Sequence, residues 1–152
     1  MVKPIPDNYP QVMPYLIVDG ASEAIEFYKG VFGATERMRL DGPDGRVGHA
    51  ELEIGDAVVM LADENPSMGI EGPRSIGGTP VTIHVYLEDA DTAFERAVQA
   101  GAKPLRAVED QFYGDRSGQF EDPYGHRWNV ATHVKDISED EMSQRAAEIA
   151  GG

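Results

Sequence analysis

The sequence predicts an α+β fold of two β-α-β-β-β modules, because the same strand and helix pattern occurs in it twice. The segment from Met13 to Asp19 and the helix-like segment after it return from Thr82 onward, and Gly33-Ala34 closes the first copy as Gly101-Ala102 closes the second. Two copies are too few for a solenoid, since stacked arrays need three or more units to bury a continuous core. We therefore expect the modules to form one curved, mostly antiparallel sheet with a concave crevice.

Length and composition favour a single soluble domain. The chain has 152 residues and no cysteine, and its formal charge is −14, with 27 acidic against 13 basic residues. A fold of this size buries roughly two-thirds of its unfolded surface. The charge argues against nucleic acid as a partner, and the absence of a long apolar run argues against a membrane span or a signal peptide. Because cysteine-free chains suit a reducing compartment, we expect a cytoplasmic protein.

Module one is predicted to begin after an extended arm, residues 1–10, which contains three prolines. The apolar, β-branched run over 12–18 predicts a buried strand. Ser22 is expected to open a helix that ends at Gly33 and turns one apolar face to the core. Strands are predicted over 35–40, 47–54 and 57–62, separated by turn-forming Gly, Pro and Asp residues. The apolar helix face consists of Ala24, Phe27, Tyr28 and Val31.

The remaining chain is divided into a linker, a second module and a tail. The boundaries are about 11–62 for module one, 63–78 for the linker, about 79–133 for module two and 134–152 for the helical tail. The linker is rich in Gly, Pro, Ser and Asn, so it is predicted to connect the two copies, or equally to form a flap in which Met68 and Ile70 cover a pocket. Module two is predicted to contain strand 80–87, helix 89–100 and strands 102–108, 117–121 and 127–133. Ser138 to Glu141 forms a capping-box pattern for a final helix, which could pack on its own subunit or on a partner.

Three motifs resemble one known superfamily. They are Phe27 to Ala34 at the end of the first helix, Phe112 to Gly118 before a late strand, and Asp122-Pro-Tyr-Gly-His-Arg-Trp128 with Asn129 before the last strand. Together with the paired modules they resemble the vicinal oxygen chelate superfamily, and its PhnB-like branch in particular, over about residues 10–134. This superfamily includes glyoxalase I, extradiol dioxygenases, fosfomycin resistance enzymes and bleomycin-sequestering proteins. The resemblance implies a homodimer, but the fold alone does not give the function.

Strand alternation predicts which side chains line the crevice. Residues two apart on a strand share a face, so the side of each strand opposite its apolar set faces the crevice. Tyr15 and Tyr86 could stack on a planar ligand or pack in the core. Asp115 and Arg116 are predicted in a glycine-flanked loop, where they could pair at the mouth of the site, bind an anion through Arg116, or fix a turn. The predicted crevice residues are Met13, Tyr15, His49, Glu51, Thr82, His84, Tyr86, Asp115, Arg116 and Asn129.

The metal ligands implied by the resemblance are mostly missing. The four expected positions fall on Met13, Thr82, Asn129 and either His49 or Glu51, so one of four carries a usual ligand. A catalytic divalent site needs about three His or carboxylate side chains. We therefore predict no cofactor, with a displaced triad of His49, Glu51 and His84 as the alternative site for a divalent metal ion.

Three functional hypotheses follow. The first is a glyoxalase/bleomycin-resistance-like protein that binds a small, partly apolar or aromatic molecule in a metal-free crevice. The second is a divalent-metal-dependent lyase, isomerase or dioxygenase of the same superfamily. The third is a structural or regulatory protein whose crevice is vestigial. The sequence contains no nucleophile-base triad or nucleotide-binding loop, so no catalytic residue is assigned.

Overall fold

The computed structural model describes residues 2–151, which divide into two compact units. The first unit contains the residues up to Pro80 together with Pro123–His126, and the second contains Val81–Asp122 and the residues from Arg127 onward. Each unit is described here by itself. The single-domain organisation stays a prediction.

The first unit contains module one and the linker. Its strands and helices are β1 (Tyr15–Val18), α1 (Ala21–Phe32), β2 (Thr35–Asp41), β3 (Val47–Ile54), β4 (Ala57–Asp63), a 3₁₀ turn (Pro66–Met68) and the short helix α2 (Pro73–Ile76). The second unit contains β5 (Thr82–Tyr86), α3 (Ala90–Gln99), β6 (Lys103–Asp110), β7 (Asp115–Glu121), β8 (Arg127–His133) and α4 (Glu139–Gly151). The predicted α+β class with two β-α-β-β-β modules is confirmed.

The strands form two four-stranded sheets with the same internal order. The orders are β1-β4-β3-β2 and β5-β8-β7-β6. The pairs β1/β4 and β5/β8 are parallel, and the other pairs are antiparallel. In the first sheet Tyr15 lies opposite Met60, which lies opposite Glu51. In the second, His84 lies opposite Asn129 in the corresponding place.

One face of each sheet is covered by the long helix of its module. In the first unit α1 packs on β1, β3 and β4, and its predicted apolar face is buried, as are Leu16 and Val18 of β1. Each large apolar side chain buried in this way stabilises the fold by roughly 1.5–3 kcal/mol. Gly33, at φ 68°, ends α1 and donates its N–H to the carbonyl oxygen of Lys29. The other face of the first sheet, which we call the open face, carries the half-exposed Tyr15, and the N-terminal arm covers part of it, near Glu51.

Two local predictions are wrong, those for Ser22 and for Asp115 with Arg116. Helix α1 begins at Ala21, and Ser22 does not cap it; the Asp63 carboxylate accepts hydrogen bonds from the first backbone N–H groups instead. The predicted linker contains the 3₁₀ turn and α2. Asp115 and Arg116 begin strand β7, where they pair with β8, and do not lie in a loop.

The second unit buries Trp128 in its core and contains the predicted tail helix. Trp128 is 1% exposed, and its indole N–H donates to Asp122 Oδ2 at 2.9 Å. Ser138 Oγ accepts a hydrogen bond from the Glu141 N–H at 3.2 Å, as the capping pattern predicts. Helix α4 leaves Ile149 exposed. No helix among residues 2–151 is long and apolar enough to cross a membrane.

Candidate functional site

A chain of hydrogen bonds crosses the open face of the first sheet. The Tyr15 hydroxyl lies 2.9 Å from His49 Nδ1, and His49 Nε2 lies 2.8 Å from Glu51 Oε2. The other Glu51 oxygen accepts a hydrogen bond from the Tyr9 hydroxyl at 2.8 Å. The Glu51 side chain is only 4% exposed. The open face therefore holds a buried carboxylate connected through an imidazole to a phenol.

The charges around Glu51 keep it ionised. Burial raises the pKa of Glu51, but the hydrogen bonds from His49 and Tyr9 and the charge of Arg37 outweigh burial and hold the pKa below its ordinary value. Arg37 Nε lies 3.5 Å from Glu51 Oε1, and the Arg37 guanidinium lies 4.5 Å from the centre of the Tyr9 ring. A carboxylate only accepts hydrogen bonds, so His49 Nε2 carries the proton that it donates to Glu51. In the neutral imidazole, Nδ1 then accepts the Tyr15 hydroxyl proton.

An open cavity of about 870 Å³ adjoins this chain at Tyr15. Tyr15, Ile17 and Ala62 form its floor on β1 and β4, and Met68 and Ile70 of the linker also line it. The linker therefore lines a pocket, as the flap alternative requires. The charged side chains of the lining are Asp19, Asp44, Arg46, Asp63 and Glu64.

A second cavity, of about 370 Å³, lies between the N-terminal arm and the first sheet. Met13, Glu51 and Met60 contribute to it from the sheet side, and Tyr9 contributes from the arm. The arm contains no helix or strand over the residues described, as predicted. Glu51 thus lines the arm cavity and is connected through His49 to Tyr15, which lines the larger one.

The second unit holds a polar cluster at the equivalent place. The Asn129 amide nitrogen lies 2.7 Å from His84 Nδ1. Arg106 donates to the Asn129 side-chain oxygen at 2.9 Å and to Ser117 Oγ at 3.2 Å. Ser117 is fully buried and Asn129 is 6% exposed. Because Arg106 fixes which end of the amide accepts, Asn129 presents its NH₂ group to His84.

A separate network surrounds Asp115. The Tyr86 hydroxyl donates to Asp115 Oδ2 at 2.7 Å, and His133 Nδ1 lies 2.8 Å from Asp115 Oδ1. His133 Nε2 lies 2.7 Å from Asp136. The hydrogen bonds to Asp115 and then to Asp136 raise the pKa of His133, and the hydrogen bond to Asp115 raises the pKa of Tyr86.

Several of the predicted crevice residues meet within one unit, and others do not. Tyr15, His49 and Glu51 form one chain, and Met13 lies beside Glu51 in the arm cavity. In the second unit His84 meets Asn129, and Tyr86 meets Asp115. Thr82 is exposed and lies opposite Arg127 of β8.

Two predicted roles are wrong. Arg116 does not pair with Asp115; it pairs with Asp91 at 2.7 Å and Asp110 at 3.3 Å. Core packing of the two tyrosines is also wrong, because Tyr15 is 48% and Tyr86 60% exposed.

Sequence reasoning missed six residues of these networks. Tyr9 lies in an arm without periodicity, and Arg37 and Arg106 lie on edge strands whose register cannot be read locally. His133 lies on the strand paired with β7, and no local pattern connects it to Asp115. Buried Ser117 and exposed Asp136 carry no pattern that separates them from ordinary polar residues.

The residues at the superfamily's metal positions do not fit a divalent ion. Met13, Thr82 and Asn129 offer a thioether, a hydroxyl and an amide, whereas such sites use imidazole and carboxylate ligands. The three residues of the alternative triad belong to two different hydrogen-bonded pairs. His49 and Glu51 are hydrogen-bonded to each other, and His84 is hydrogen-bonded to Asn129 in the second unit. Within residues 2–151, no three His, Cys, Asp or Glu side chains are arranged to hold a metal ion.

The fold and a match to a family model assign the chain to one superfamily. The model of the Glyoxalase/Bleomycin resistance protein/Dioxygenase superfamily matches residues 9–130, and the chain belongs to this family. An uncharacterized protein of Mycobacterium tuberculosis (strain ATCC 25618 / H37Rv), Rv0887c, is 46% identical over 136 residues, which cover 88% of this chain and 80% of the relative.

Solved structures share the fold. TioX from Micromonospora sp. ML1 is 26% identical, with a TM-score of 0.63, and the match covers 82% of this chain and 99% of TioX. Protein PA1353 from Pseudomonas aeruginosa is 25% identical, with a TM-score of 0.66, and the match covers 83% of this chain and 99% of PA1353.

Proposed function

We propose that the protein binds a small, partly apolar or aromatic molecule without a metal ion, in the cavity at Tyr15. One observation carries this proposal: the positions at which the superfamily's enzymes hold their metal carry Met13, Thr82 and Asn129. His49, the one usual ligand, is already hydrogen-bonded on both ring nitrogens. Family members that sequester a compound need a shaped cavity, not a reactive ion.

The lining of the Tyr15 cavity suits such a ligand. Its volume of about 870 Å³ lies in the range of roughly 300–1,000 Å³ that is typical of small-molecule sites. Tyr15 presents a half-exposed ring for stacking, and Ile17, Met68 and Ile70 offer apolar surface. Ser75 and Asn65 supply polar groups.

The alternative is a divalent-metal-dependent lyase, isomerase or dioxygenase of the same family. The proximity of His49 and Glu51 favours it, but both would have to exchange their mutual hydrogen bond for bonds to the metal. Within the family we place the chain in the PhnB-like branch on its Asp122 to Asn129 motif. The PhnB protein from Bacillus cereus is 19% identical with a TM-score of 0.65, which is a likeness of fold alone. We further propose a cytoplasmic homodimer.

Elemental analysis and thermal shift on untagged protein test the proposal. The protein is incubated with Zn²⁺, Mn²⁺ or Fe²⁺, desalted, and assayed for bound metal. Metal-free protein is then screened with antibiotics, metabolites and small aromatic amines, because a bound ligand raises the unfolding temperature. We expect substoichiometric metal and a shift with at least one aromatic compound.

A pair of exposed apolar residues supplies the control. Met68→Ser removes apolar surface from the cavity wall, whereas Ile76→Ser makes a similar change on an exposed residue outside the lining. Loss of the Met68 contact should weaken binding about fivefold, since burying such a side chain contributes on the order of 1 kcal/mol or more. The proposal fails if about one divalent ion per chain is held tightly and ligand binding disappears when it is removed. Equal effects of the two substitutions would place the ligand elsewhere.

A further inference from the structure

We propose that Tyr15, His49 and Glu51 form a metal-independent proton relay and that the Tyr15 hydroxyl is its reactive end. A buried carboxylate orients an imidazole at 2.8 Å, and the imidazole accepts a hydroxyl proton at 2.9 Å. This is the arrangement in which an adjacent base activates a hydroxyl and a third group orients the base. The relay rests on the proposed function in one respect, because Tyr15 meets its substrate in the same cavity.

The fold fixes the three side chains on one face. His49 and Glu51 are two apart on β3, so both point to the open side of the sheet. Tyr15 lies on β1, and β4 lies between β1 and β3 in the sheet. The tyrosine side chain reaches across β4, and the centre of its ring lies 5.5 Å from the centre of the His49 ring.

Glu51 is held so firmly that it can orient His49. One of its oxygens accepts from His49, and the other accepts from Tyr9 and faces Arg37. A carboxylate fixed at both oxygens holds the imidazole in one tautomer, as the carboxylate does in hydrolase triads. Burial, and then the charge of Glu51, raise the pKa of Tyr15. The phenol therefore keeps its proton at neutral pH until His49 accepts it.

The chemistry of the relay is proton transfer at a weakly acidic hydrogen of a bound molecule. The bond from that hydrogen to the substrate breaks, and its proton passes to Tyr15 Oη as the Tyr15 proton passes to His49 Nδ1. The imidazolium then lies beside the Glu51 carboxylate, and the reverse transfer returns a proton to another atom of the substrate. Atoms and charge balance without an oxidant or a metal.

The charge of the cavity selects the substrate class. Four of the charged lining residues are acidic and one, Arg46, is basic, and Arg46 faces Asp19 and Asp63 at 3.5 and 3.6 Å. An anion entering here would meet net repulsion. We therefore expect an uncharged or cationic molecule with an apolar part.

Tyr86 provides a matched internal comparison. It is a strand tyrosine of similar exposure, but its hydroxyl donates directly to the Asp115 carboxylate, with no imidazole between them. A hydrogen bond to a carboxylate stabilises the protonated phenol. A reagent that reacts with activated hydroxyl groups should thus modify Tyr15 faster than Tyr86.

The experiment uses aminoethyl-benzenesulfonyl fluoride, a cationic aromatic reagent. Tyr15 Oη forms a bond to sulfur, fluoride leaves, and the phenol proton goes to His49. Modification rates of both tyrosines are measured by peptide mass spectrometry between about pH 5 and 9, with full-length protein and the variants His49→Ala, Glu51→Gln and Tyr9→Phe. Binding of the unreactive aminoethyl-benzenesulfonamide is measured in parallel by thermal shift, and each variant is checked for a folded circular dichroism spectrum.

We expect His49→Ala to slow modification of Tyr15 about 100-fold, the usual order for a general base, and Glu51→Gln to slow it about tenfold. The faster modification of Tyr15 than of Tyr86 should vanish in His49→Ala. Tyr9→Phe removes the hydrogen bond to the second Glu51 oxygen but keeps the His49–Glu51 contact, so the rate should fall, but by less than in Glu51→Gln.

The outcomes separate the two proposals. If Tyr15 reacts no faster than Tyr86, or if folded His49→Ala reacts at the wild-type rate, the relay is wrong, even where the sulfonamide binds and the binding proposal stands. If modification depends on His49 but no member of the compound panel binds, the relay stands and the binding proposal fails.

Discussion

Asp63 should be the most consequential single carboxylate for the stability of the first unit. It stands at the end of β4, where Oδ1 accepts the N–H groups of Gly20 and Ala21 at 2.9 and 2.8 Å. Its Oδ2 accepts the Val47 N–H at 2.8 Å. The side chain is 8% exposed, so water cannot fully replace it. Asp63→Asn keeps the size of the side chain but turns one acceptor into a donor.

The expected loss of stability follows from these contacts. In either orientation of the new amide, its NH₂ group faces a backbone N–H, so at least one of the three hydrogen bonds is lost. A hydrogen bond to a charged group contributes about 1.5–3 kcal/mol, and a negative charge at a helix start contributes about 0.3–1 kcal/mol. Together they predict a free energy of unfolding lower by about 2–4 kcal/mol at neutral pH.

Urea denaturation of the Asp63→Asn variant, followed by circular dichroism, measures this loss, with Asp44→Asn as the control for removing an exposed acidic charge. Burial raises the pKa of Asp63, but the hydrogen bonds from Val47, Ala21 and Gly20 outweigh it and lower the pKa. The carboxylate therefore stabilises the fold above its unfolded pKa, about 3.9, and this contribution is lost as the pH falls through the lower folded value. The difference between the wild type and the variant should shrink below about pH 4. A difference within about 0.5 kcal/mol of the control at neutral pH would refute this account.

Three further predictions concern other parts of the chain. The pKa of His133 is raised in the folded protein, so the protonated imidazole stabilises the fold below the unfolded pKa, and this contribution is lost as pH rises through the folded pKa. An NMR titration of His133 should give a midpoint above the free value of about 6.5. If the midpoint is the same in Asp115→Asn, Asp115 is not the cause of the raised pKa. Arg106→Met removes the donors to two buried oxygens, so urea unfolding should show a loss of about 2–3 kcal/mol, and a loss under about 0.5 kcal/mol would show that the cluster is not structural. Gly114→Ala should destabilise the protein by more than about 2 kcal/mol, because φ is 98° and a Cβ would clash with a backbone carbonyl oxygen. Gly30 lies in helix α1 with open space around it, so Gly30→Ala should instead stabilise the protein by about 0.5–1 kcal/mol. Equal effects of the two substitutions on urea unfolding would contradict both expectations.

The parts of the fold that follow from periodicity could be predicted from the sequence. Leu16 and Val18 of β1 are buried, whereas Tyr15 is exposed and Ile17 is half-buried, because a strand that carries a helix on one face must alternate. The apolar face of α1 and the capping of α4 by Ser138 are local patterns of the same kind. Each depends on residues within one or two turns of chain.

The parts that could not be predicted depend on contacts between distant segments. Ser22 satisfies the local rule for a helix cap, but Asp63, which comes from the end of β4, takes that role, and Ser22 accepts a hydrogen bond from Arg39 instead. Tyr15 and His49 are 34 residues apart in sequence. They meet because the sheet order places only β4 between β1 and β3, a distance that the tyrosine side chain spans. Tyr9 reaches Glu51 from an arm that has no repeating pattern.

The two copies of the module show why a relay is proposed for one of them only. In the first sheet the residue opposite Tyr15 is Met60, whose thioether is at most a weak acceptor, and the tyrosine hydroxyl bonds to His49 instead. In the second sheet the residue opposite His84 is Asn129, whose NH₂ group occupies His84 Nδ1. An amide N–H does not release its proton near neutral pH, so the hydrogen bond at His84 holds the ring without carrying a proton onward. A phenol that donates to an imidazole can release its proton, and Met60 leaves the Tyr15 hydroxyl free to donate to His49. For this reason proton transfer is assigned to the first copy.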